Sequence, residues 1–352
     1  MARTYAGLWP QVVSWENLVR AYHRCRRRKR ATPEATKFDY AWESELLQLQ
    51  RELTTGEYVP GPYTNFYIFE PKQRKISAAP FRDRVVHHAV VGVLEPLYEQ
   101  RFIFDSYACR RGKGTHRAVD RAQLYLRRFD FFLKTDVVRF FPNVDHEILL
   151  GVIGKQIRDE QFMKLIRLIV ASGEGVLRAE ATNDVYPGDD LFSTLRRRGL
   201  PIGNLTSQFF ANVLLDVADH YVKEEMLVPG YVRYADDMVL FGNDKDQLWE
   251  WRDTLSKRLS ALRLKLHRHK THVGMCEDGV RFLGLKLFRD GRRLPQEAIA
   301  RFSRRIRRLR WLRSKRKFPL SRVRASLKAW LDYASGVNSV GIKKSIWRRV
   351  KF

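Results

Sequence analysis

Two β-favouring apolar runs, Tyr231-Val232-Arg233-Tyr234 and Met238-Val239-Leu240-Phe241, meet at the adjacent carboxylates Asp236 and Asp237. The pattern predicts a hairpin with an acidic tip. Burying strands on both sides of such a pair holds two negative charges close together, which is costly unless a cation lies against them. An exposed Asp-Asp turn is the competing reading. Other stretches of the chain decide between the two.

The strongest of these is Phe131 to Phe141, which predicts an apolar strand with one carboxylate, Asp136, embedded in it. A lone Asp amid Phe, Leu and Val needs a charged or hydrogen-bonded partner. The turn signals, Pro142-Asn143-Val144-Asp145-His146, lie after Phe141 and cap a following helix through Ile148, Leu149 and Ile153.

Charge narrows the partners. The chain of 352 residues carries a formal net charge of +27 and a pI near 10.3, which points to a polyanion, nucleic acid foremost. From Arg292 to Phe352 there are 20 Lys and Arg against Glu297 and Asp332, so this sixth of the chain holds +18 of the excess. No apolar run approaches the roughly 18 residues needed to span a bilayer, and the N-terminus lacks the apolar core of a signal peptide. A cytoplasmic protein without a membrane partner is expected. Cys25, Cys109 and Cys276 are scattered and odd in number, which fits reduced thiols and offers no zinc pair.

Read in order, residues 11–30 pair an amphipathic helix with a basic run, Arg24 to Arg30, which is either a polyanion contact or a solvated arm. Residues 39–53 repeat the helical period through Tyr40, Trp42, Leu46, Leu49 and Leu53. A basic hairpin is expected over 63–76, followed by Arg82-Asp83-Arg84 and an apolar helix from Val85 to Leu97 that Pro96 helps to end. The hairpin and the Arg-Asp-Arg element can hold a triphosphate or a template backbone, or form an ordinary surface.

Between Ser106 and His116 a Gly-broken turn carries Arg110, Arg111 and Lys113, whose surroundings suit phosphate, and a helix starts near Thr115. It lacks the spacing of a nucleotide-binding P-loop. Residues 155–199 are helical to about Ala171 and then acidic and loop-rich, which predicts an insertion or mobile loop. The glycine turn Leu200 to Gln208 leads into a helix over Phe209 to Tyr221, with Thr206 or Ser207 as caps. From Pro295 the chain is helical and very basic, and Arg304, Arg305 and Arg308 on such a helix suit a duplex-gripping surface.

The order of these motifs resembles the reverse transcriptase family: a basic hairpin, an embedded-Asp strand, a Pro-x-Gly turn, Tyr-Ala-Asp-Asp, Leu-x-Leu-His-x-x-Lys and Phe-Leu-Gly, over roughly residues 60–290. The resemblance implies an α+β right-hand polymerase. Residues 1–58 would form an N-terminal helical basic segment, 59–130 fingers with part of the palm, 131–292 a palm with an antiparallel sheet and the 155–199 insertion, and 293–352 a short helical thumb. It implies two divalent ions about 4 Å apart that activate the primer 3′ hydroxyl and steady the leaving pyrophosphate. Magnesium needs hard oxygen ligands. Asp136, Asp236 and Asp237, with the Val137 carbonyl, would supply them, and Mn²⁺ is the substitute ion.

The same resemblance places Phe141 beneath the sugar, excluding a ribose 2′ hydroxyl, and gives Lys270 the role of protonating pyrophosphate. It puts Arg74, with Lys72 or Arg84, on the triphosphate. One turn departs from most of the family: Ile202 precedes Gly203 where Gln-Gly is usual, and Gln208 follows Ser207 where Ser-Pro is usual. Ile-Gly-x-x-x-Ser-Gln, with Tyr107-Ala108-Cys109-Arg110 and Lys113-Gly114-Thr115-His116, is similar to the enzymes of diversity-generating retroelements. That likeness implies copying of a template-repeat RNA into cDNA with misincorporation opposite adenines, an RNA/cDNA duplex and deoxynucleoside triphosphates as ligands, and a small helical pentameric accessory protein as partner. An enzyme of ordinary fidelity, like those of retrons or group II introns, and an inactive RNA-binding scaffold are the alternatives.

Overall fold

Helical periodicity at the N-terminus yields four helices, α1 (Trp9–Val13), α2 (Trp15–Arg26), α3 (Pro33–Tyr40) and α4 (Trp42–Thr55). They belong to a computed structural model that describes residues 4–27, 32–69, 73–315, 319–334 and 337. Ser14 accepts from Asn17 N to cap α2, and Gly56, at φ +80°, closes α4. The expected helix over 39–53 is interrupted at Ala41, which leaves Tyr40 95% exposed at the end of α3. Residues 28–30 of the basic run lie outside the described residues.

Strands β1 (Thr64–Ile68) and β2 (Arg74–Ala78) form the basic hairpin, and α5 (Phe81–Glu99) follows. Pro96 does not end this helix but sits inside it. A proline so near the C-terminus removes a single backbone donor, which a helix buried along Val85, Ala89, Val90 and Leu94 tolerates. Helix α6 (Thr115–Arg128) starts where the glycine turn predicts.

The centre is a mixed α+β layer: β3 (Phe131–Asp136), α7 (Phe140–Asn143), α8 (His146–Gly154), α9 (Glu160–Ala171), α10 (Leu205–His220), β4 (Gly230–Tyr234), β5 (Asp237–Gly242), α11 (Lys245–Ala261) and β6 (His272–Met275). The four strands pair antiparallel in the order β4-β5-β3-β6. Both faces are covered, and period-two alternation sorts their side chains. Leu133, Met238 and Leu240 join the main core with α5, α8, α10 and α11. Phe132, Val239 and Phe241 face a second core built by α6 and the small sheet β7 (Val280–Phe282), β8 (Leu285–Leu287) and β9 (Arg292–Arg293). Helices α12 (Gln296–Ser314) and α13 (Leu320–Tyr333) close on each other through Ile306, Leu309 and Val323, with Phe302 stacked on Trp330 at 4.1 Å.

Two expectations need correction. The strand bearing Asp136 does not run on to Phe141; it ends at Asp136, and Arg139 turns the chain at φ +42°. Helix α10 starts at Leu205 rather than Phe209, so Thr206 and Ser207 lie buried in its first turn instead of capping it. Its N-cap residue, Asn204, spends its side chain on Ala79 N, Ser77 O and Pro201 O. The acidic stretch after α9 makes several pairings: Asp184 pairs with Lys265 at 2.6 Å, Asp189 with Arg196 at 2.8 Å, and Thr182 N donates to Asn143. Asp190 instead accepts from Ser193, and Glu180 Oε2 is buried without a hydrogen bond.

Candidate active site

The tip of the β4–β5 hairpin is the two-residue turn Ala235-Asp236, with Ala235 at φ +54°, as tight hairpins of this length demand. Asp237 opens β5 opposite Asp136, the last residue of β3. Alternation puts Asp136 on the same face as Lys134, two residues earlier, and Asp237 on that face too. Three carboxylates from two separate chain segments therefore converge at one end of the sheet. The exposed Asp-Asp turn is ruled out, because Asp236 and Asp237 are both half-buried; burial pushes the Asp236 carboxyl up to about 7, with Asp136 adding repulsion. Asp237 is pushed up to about 6, again by burial first, against the pull of Lys134.

Two lysines offset this charge. Lys270 hydrogen-bonds Asp136, and Lys134 lies 3.5 Å from Asp237. Lys270 is carried by a tight turn that wraps Asp136: His267 N donates to the Asp136 carbonyl at 2.8 Å, and the Thr135 and Thr271 hydroxyls meet at 2.7 Å. Asp237 Oδ1 remains buried without a hydrogen bond, since 3.5 Å is too long for one. With these lysines in place, no three His, Cys, Asp or Glu side chains among the described residues are gathered as an ion cage. The donor set nonetheless fits a hard divalent cation: it is all carboxylate, short of compensating charge, and has an orphaned oxygen. The Val137 side chain is a hydrocarbon, buried in the core, so only its backbone carbonyl could contribute.

In front of this cluster opens a cleft of about 670 Å³ lined by Lys134, Asp237, Arg281, Arg305, Trp330 and Tyr333. One wall is the acidic end of the sheet and the other is the basic C-terminal helix pair. Arg304, Arg305 and Arg308 all lie on the exposed side of α12, whose Phe302, Ile306 and Leu309 face inward.

Other expected residues divide. Phe141 is half-buried in α7, and its carbonyl accepts from Leu200 N, which ties it to the glycine turn. Ile202 accepts from Ser77 N of β2 at 2.9 Å. Gly203 is at φ +115°, where a Cβ would stand 2.7 Å from Ile76 Cγ2. Gln208 is exposed in the first turn of α10 and receives the Cys109 thiol at 3.4 Å. Arg74 is exposed at the start of β2, and Lys72 lies outside the described residues.

Arg84 is turned elsewhere: it sits one turn after Phe81, covers that ring and pairs with Glu34 at 2.5 Å. Its neighbours behave alike, Arg82 pairing with Glu52 and Asp83 accepting from Tyr58 and Gly61 N. The Arg-Asp-Arg element therefore fastens α5 to the N-terminal segments. Arg110 is likewise corrected from phosphate binder to scaffold, because its guanidinium is buried on Glu99 and the carbonyls of Ile103 and Ser106. Lys113 donates to the Phe104 carbonyl and lies over that ring at 3.5 Å, while Arg111 stays exposed beside Glu95.

Sequence reading passed over Lys134 and Arg233. Lys134 shares the Asp136 face by simple alternation, and Arg233 is a charge embedded in an apolar strand, the same signal that singled out Asp136.

The profile of the family described as Reverse transcriptase (RNA-dependent DNA polymerase) matches residues 69–287, more than half of the chain. Protein YkfC of Escherichia coli is 27% identical over 319 residues, covering 76% of this chain and 80% of its own length. The group II intron-encoded protein LtrA of Lactococcus lactis is 22% identical over 295 residues, 69% of this chain but only 49% of LtrA. A putative COX1/OXI3 intron 2 protein of Saccharomyces cerevisiae is 23% identical over 231 residues, of which this chain spans 25% of the yeast protein. The chain belongs to the reverse transcriptase family, and its activity is that of an RNA-directed DNA polymerase. No described helix is long and apolar enough to cross a membrane.

Proposed function

We propose that this polymerase serves a diversity-generating retroelement, copying a template-repeat RNA into adenine-mutagenised cDNA. The observation that carries the reading is the turn Ile202-Gly203 with Gln208 one helical turn on: an aliphatic side chain stands where most of the family has an amide, and its backbone is bonded to fingers strand β2. Without an amide to probe the nascent pair, geometry there is policed less strictly.

In this reading β1–β2 belongs to the fingers, the four-stranded sheet to the palm, and α12–α13 to the thumb. Asp136, Asp236, Asp237 and the Val137 carbonyl would hold two Mg²⁺ ions, or Mn²⁺ in their place. Bound there, divalent ions activate the primer 3′ hydroxyl and neutralise charge on the leaving pyrophosphate. The residues of the chain do the rest. Lys270 releases Asp136 and turns its ammonium to the pyrophosphate as proton donor. Lys134 keeps Asp237 oriented. Phe141 excludes a 2′ hydroxyl, and Arg74 and Lys72 take the triphosphate. Arg111, Lys113, Arg304, Arg305 and Arg308 track the RNA/cDNA backbone, where guanidinium forks match phosphate oxygens. A small helical pentameric accessory protein completes the assembly.

Primer extension on an RNA template with Mg²⁺ tests both levels. Asp236→Asn with Asp237→Asn should abolish incorporation; equal incorporation by variant and wild type would sink the two-ion site. Ile202→Gln should lower misincorporation opposite adenine selectively. Unchanged adenine errors would favour the second reading, a group II intron-like enzyme of ordinary fidelity, which the resemblance to LtrA and the yeast intron protein supports.

A further inference from the structure

The hairpin that presents Asp236 hides a complete charge. Arg233 is 0% exposed, and its guanidinium is fully engaged. Nε and Nη2 donate to Asp219 at 2.7, 2.9 and 2.6 Å, and Nη2 also reaches Ser106 Oγ at 3.0 Å. Nη1 donates to Asn212 Oδ1 at 3.0 Å and to the Ala235 carbonyl at 3.1 Å. That last acceptor belongs to the residue held at φ +54°, immediately before Asp236.

The backbone repeats the connection. Arg233 N donates to Asp105 O at 2.9 Å and Tyr107 N to Arg233 O at 3.0 Å, so residues 105–107 lie along β4 as a short extra strand. Asn212 then passes the contact on, donating to the Ala108 carbonyl at 2.8 Å. Four segments meet on one side chain: β4, the hairpin turn, α10 and the segment that leads into the glycine turn at 109–114. Packing alone does not call for this, because a buried ion pair is often no more stable than an apolar replacement. Only a planar fork with several fixed donors reaches all these acceptors together.

We propose that Arg233 is a positioning residue for nucleotide addition: it fixes the strained Ala235-Asp236 turn and locks it to residues 105–109, so that the carboxylates and the turn beside Gln208 move as one body. The inference rests on the placement of chemistry at the hairpin tip. Its consequence is that loosening Arg233 slows the chemical step while leaving substrate binding in place.

The test uses the full-length protein on a preformed RNA template with a DNA primer. Arg233→Lys keeps a cation opposite Asp219, but one ammonium cannot span Ala235 O, Asn212 and Ser106. Single-turnover incorporation is measured for maximal rate and for deoxynucleotide affinity separately, alongside amide hydrogen exchange of the protein without substrate. A misplacement of about 1 Å costs on the order of 100-fold in rate, so the rate should fall at least about tenfold, with affinities within about threefold. Exchange at residues 234–237 should quicken while β3 and α10 keep their protection.

A rate within twofold of wild type, or a slow variant whose hairpin exchange is unchanged, would overturn the proposal. If Arg233→Lys does not fold, Ser106→Ala with Asn212→Ala removes two anchors while retaining the Asp219 pair, and the same two readouts decide. Asp236→Asn is the separating control: full activity in that variant overturns the tip as catalytic centre, whereas hairpin exchange still reports on Arg233.

Discussion

The tip of the β4–β5 hairpin and the buried pair beneath it, one residue pair back from the turn, hold opposite solutions to the same problem, charge taken out of water. At this buried base, Arg233 and Asp219 are both fully buried and satisfied by each other, Tyr231, Asn212 and Ser106. At the tip, Asp136, Asp236 and Asp237 share two lysines, and one oxygen has no hydrogen bond. A satisfied charge holds structure, whereas an under-compensated one is where an incoming cation gains most. The contrast separates scaffold from chemistry without reference to any other protein.

Neutralising the two ends should therefore have opposite signs for stability. Asp236→Asn at the tip removes a buried charge from beside Asp136, so the metal-free protein should melt no lower than wild type. If Asp236 is a ligand of the proposed two-ion site, the variant's primer extension should fall by about 10³-fold or more, since such ligands act on the transition state itself. Thermal melting and single-turnover kinetics on the same preparation check the pair of outcomes. A variant that melts several degrees lower would place Asp236 among the scaffold residues.

Asp219→Asn at the base does the reverse. It leaves the Arg233 guanidinium buried without its hydrogen-bonded counter-charge, at a cost of up to about 3–5 kcal/mol. Chemical denaturation should show the midpoint falling with the slope unchanged. A loss below about 1 kcal/mol would mean that water reaches Arg233 and that the base is not sealed.

Close to the base, Asp216 departs from this balance. Its side chain is 5% exposed and pairs with His220 at 3.5 Å, while Oδ1 has no hydrogen bond. Burial pushes its carboxyl up to about 6, with Asp219 adding repulsion and His220, Arg233 and Arg101 pulling it back. Burial lowers the His220 imidazole, but Asp216 and Glu224 outweigh it and hold the group above its ordinary value. Because the folded Asp216 holds its proton to a higher pH than the unfolded carboxylate near 3.9, the folded state binds more protons between about pH 4 and 6. Stability from this group is present below that window and lost as pH rises through about 6. Asp216→Asn lacks the loss, so its melting temperature relative to wild type should climb by about 2 °C or more from pH 4.5 to 7. A constant difference would show that Asp216 does not titrate in that range.

The same contrast explains what the sequence made legible. Asp136 and the Asp236-Asp237 pair could be found because a carboxylate between β-branched and aromatic residues has few explanations. Arg233 offered the same anomaly, but its partner Asp219 lies fourteen residues away on α10, and no spacing rule connects a helix to a later strand. Arg110 shows the converse error. In a run with Arg111, Lys113 and two glycines it reads as an anion site, yet Glu99 and two carbonyls had already claimed it. Local pattern reveals which side chains are charged. Only tertiary packing reveals which of them are already paired. The end of β3 was missed for a related reason: Val137 to Phe141 is apolar enough for a strand, and the reversal depends on Arg139 adopting φ +42°, which no glycine announces.

The smallest expected effect lies on α12, where Arg304, Arg305 and Arg308 are exposed. Arg304, Arg305 and Arg308 project from a helix whose other side is Phe302, Ile306 and Leu309, so replacing the three with Ala should change stability by no more than about 0.5 kcal/mol. Their value is collective and sequence-independent. Each phosphate contact contributes about one to the slope of log affinity against log salt, so the triple variant should bind an RNA/DNA duplex with a slope shallower by about two to three. Affinity at low salt falls, and the difference from wild type shrinks as salt is raised. A slope identical to wild type would take α12 off the nucleic acid path and move the grip to the glycine turn, where Arg111 is exposed. In either outcome the tip keeps its chemistry, because the cleft between Asp237 and Arg305 is bounded on one side by fixed carboxylates and on the other by exchangeable positive charge.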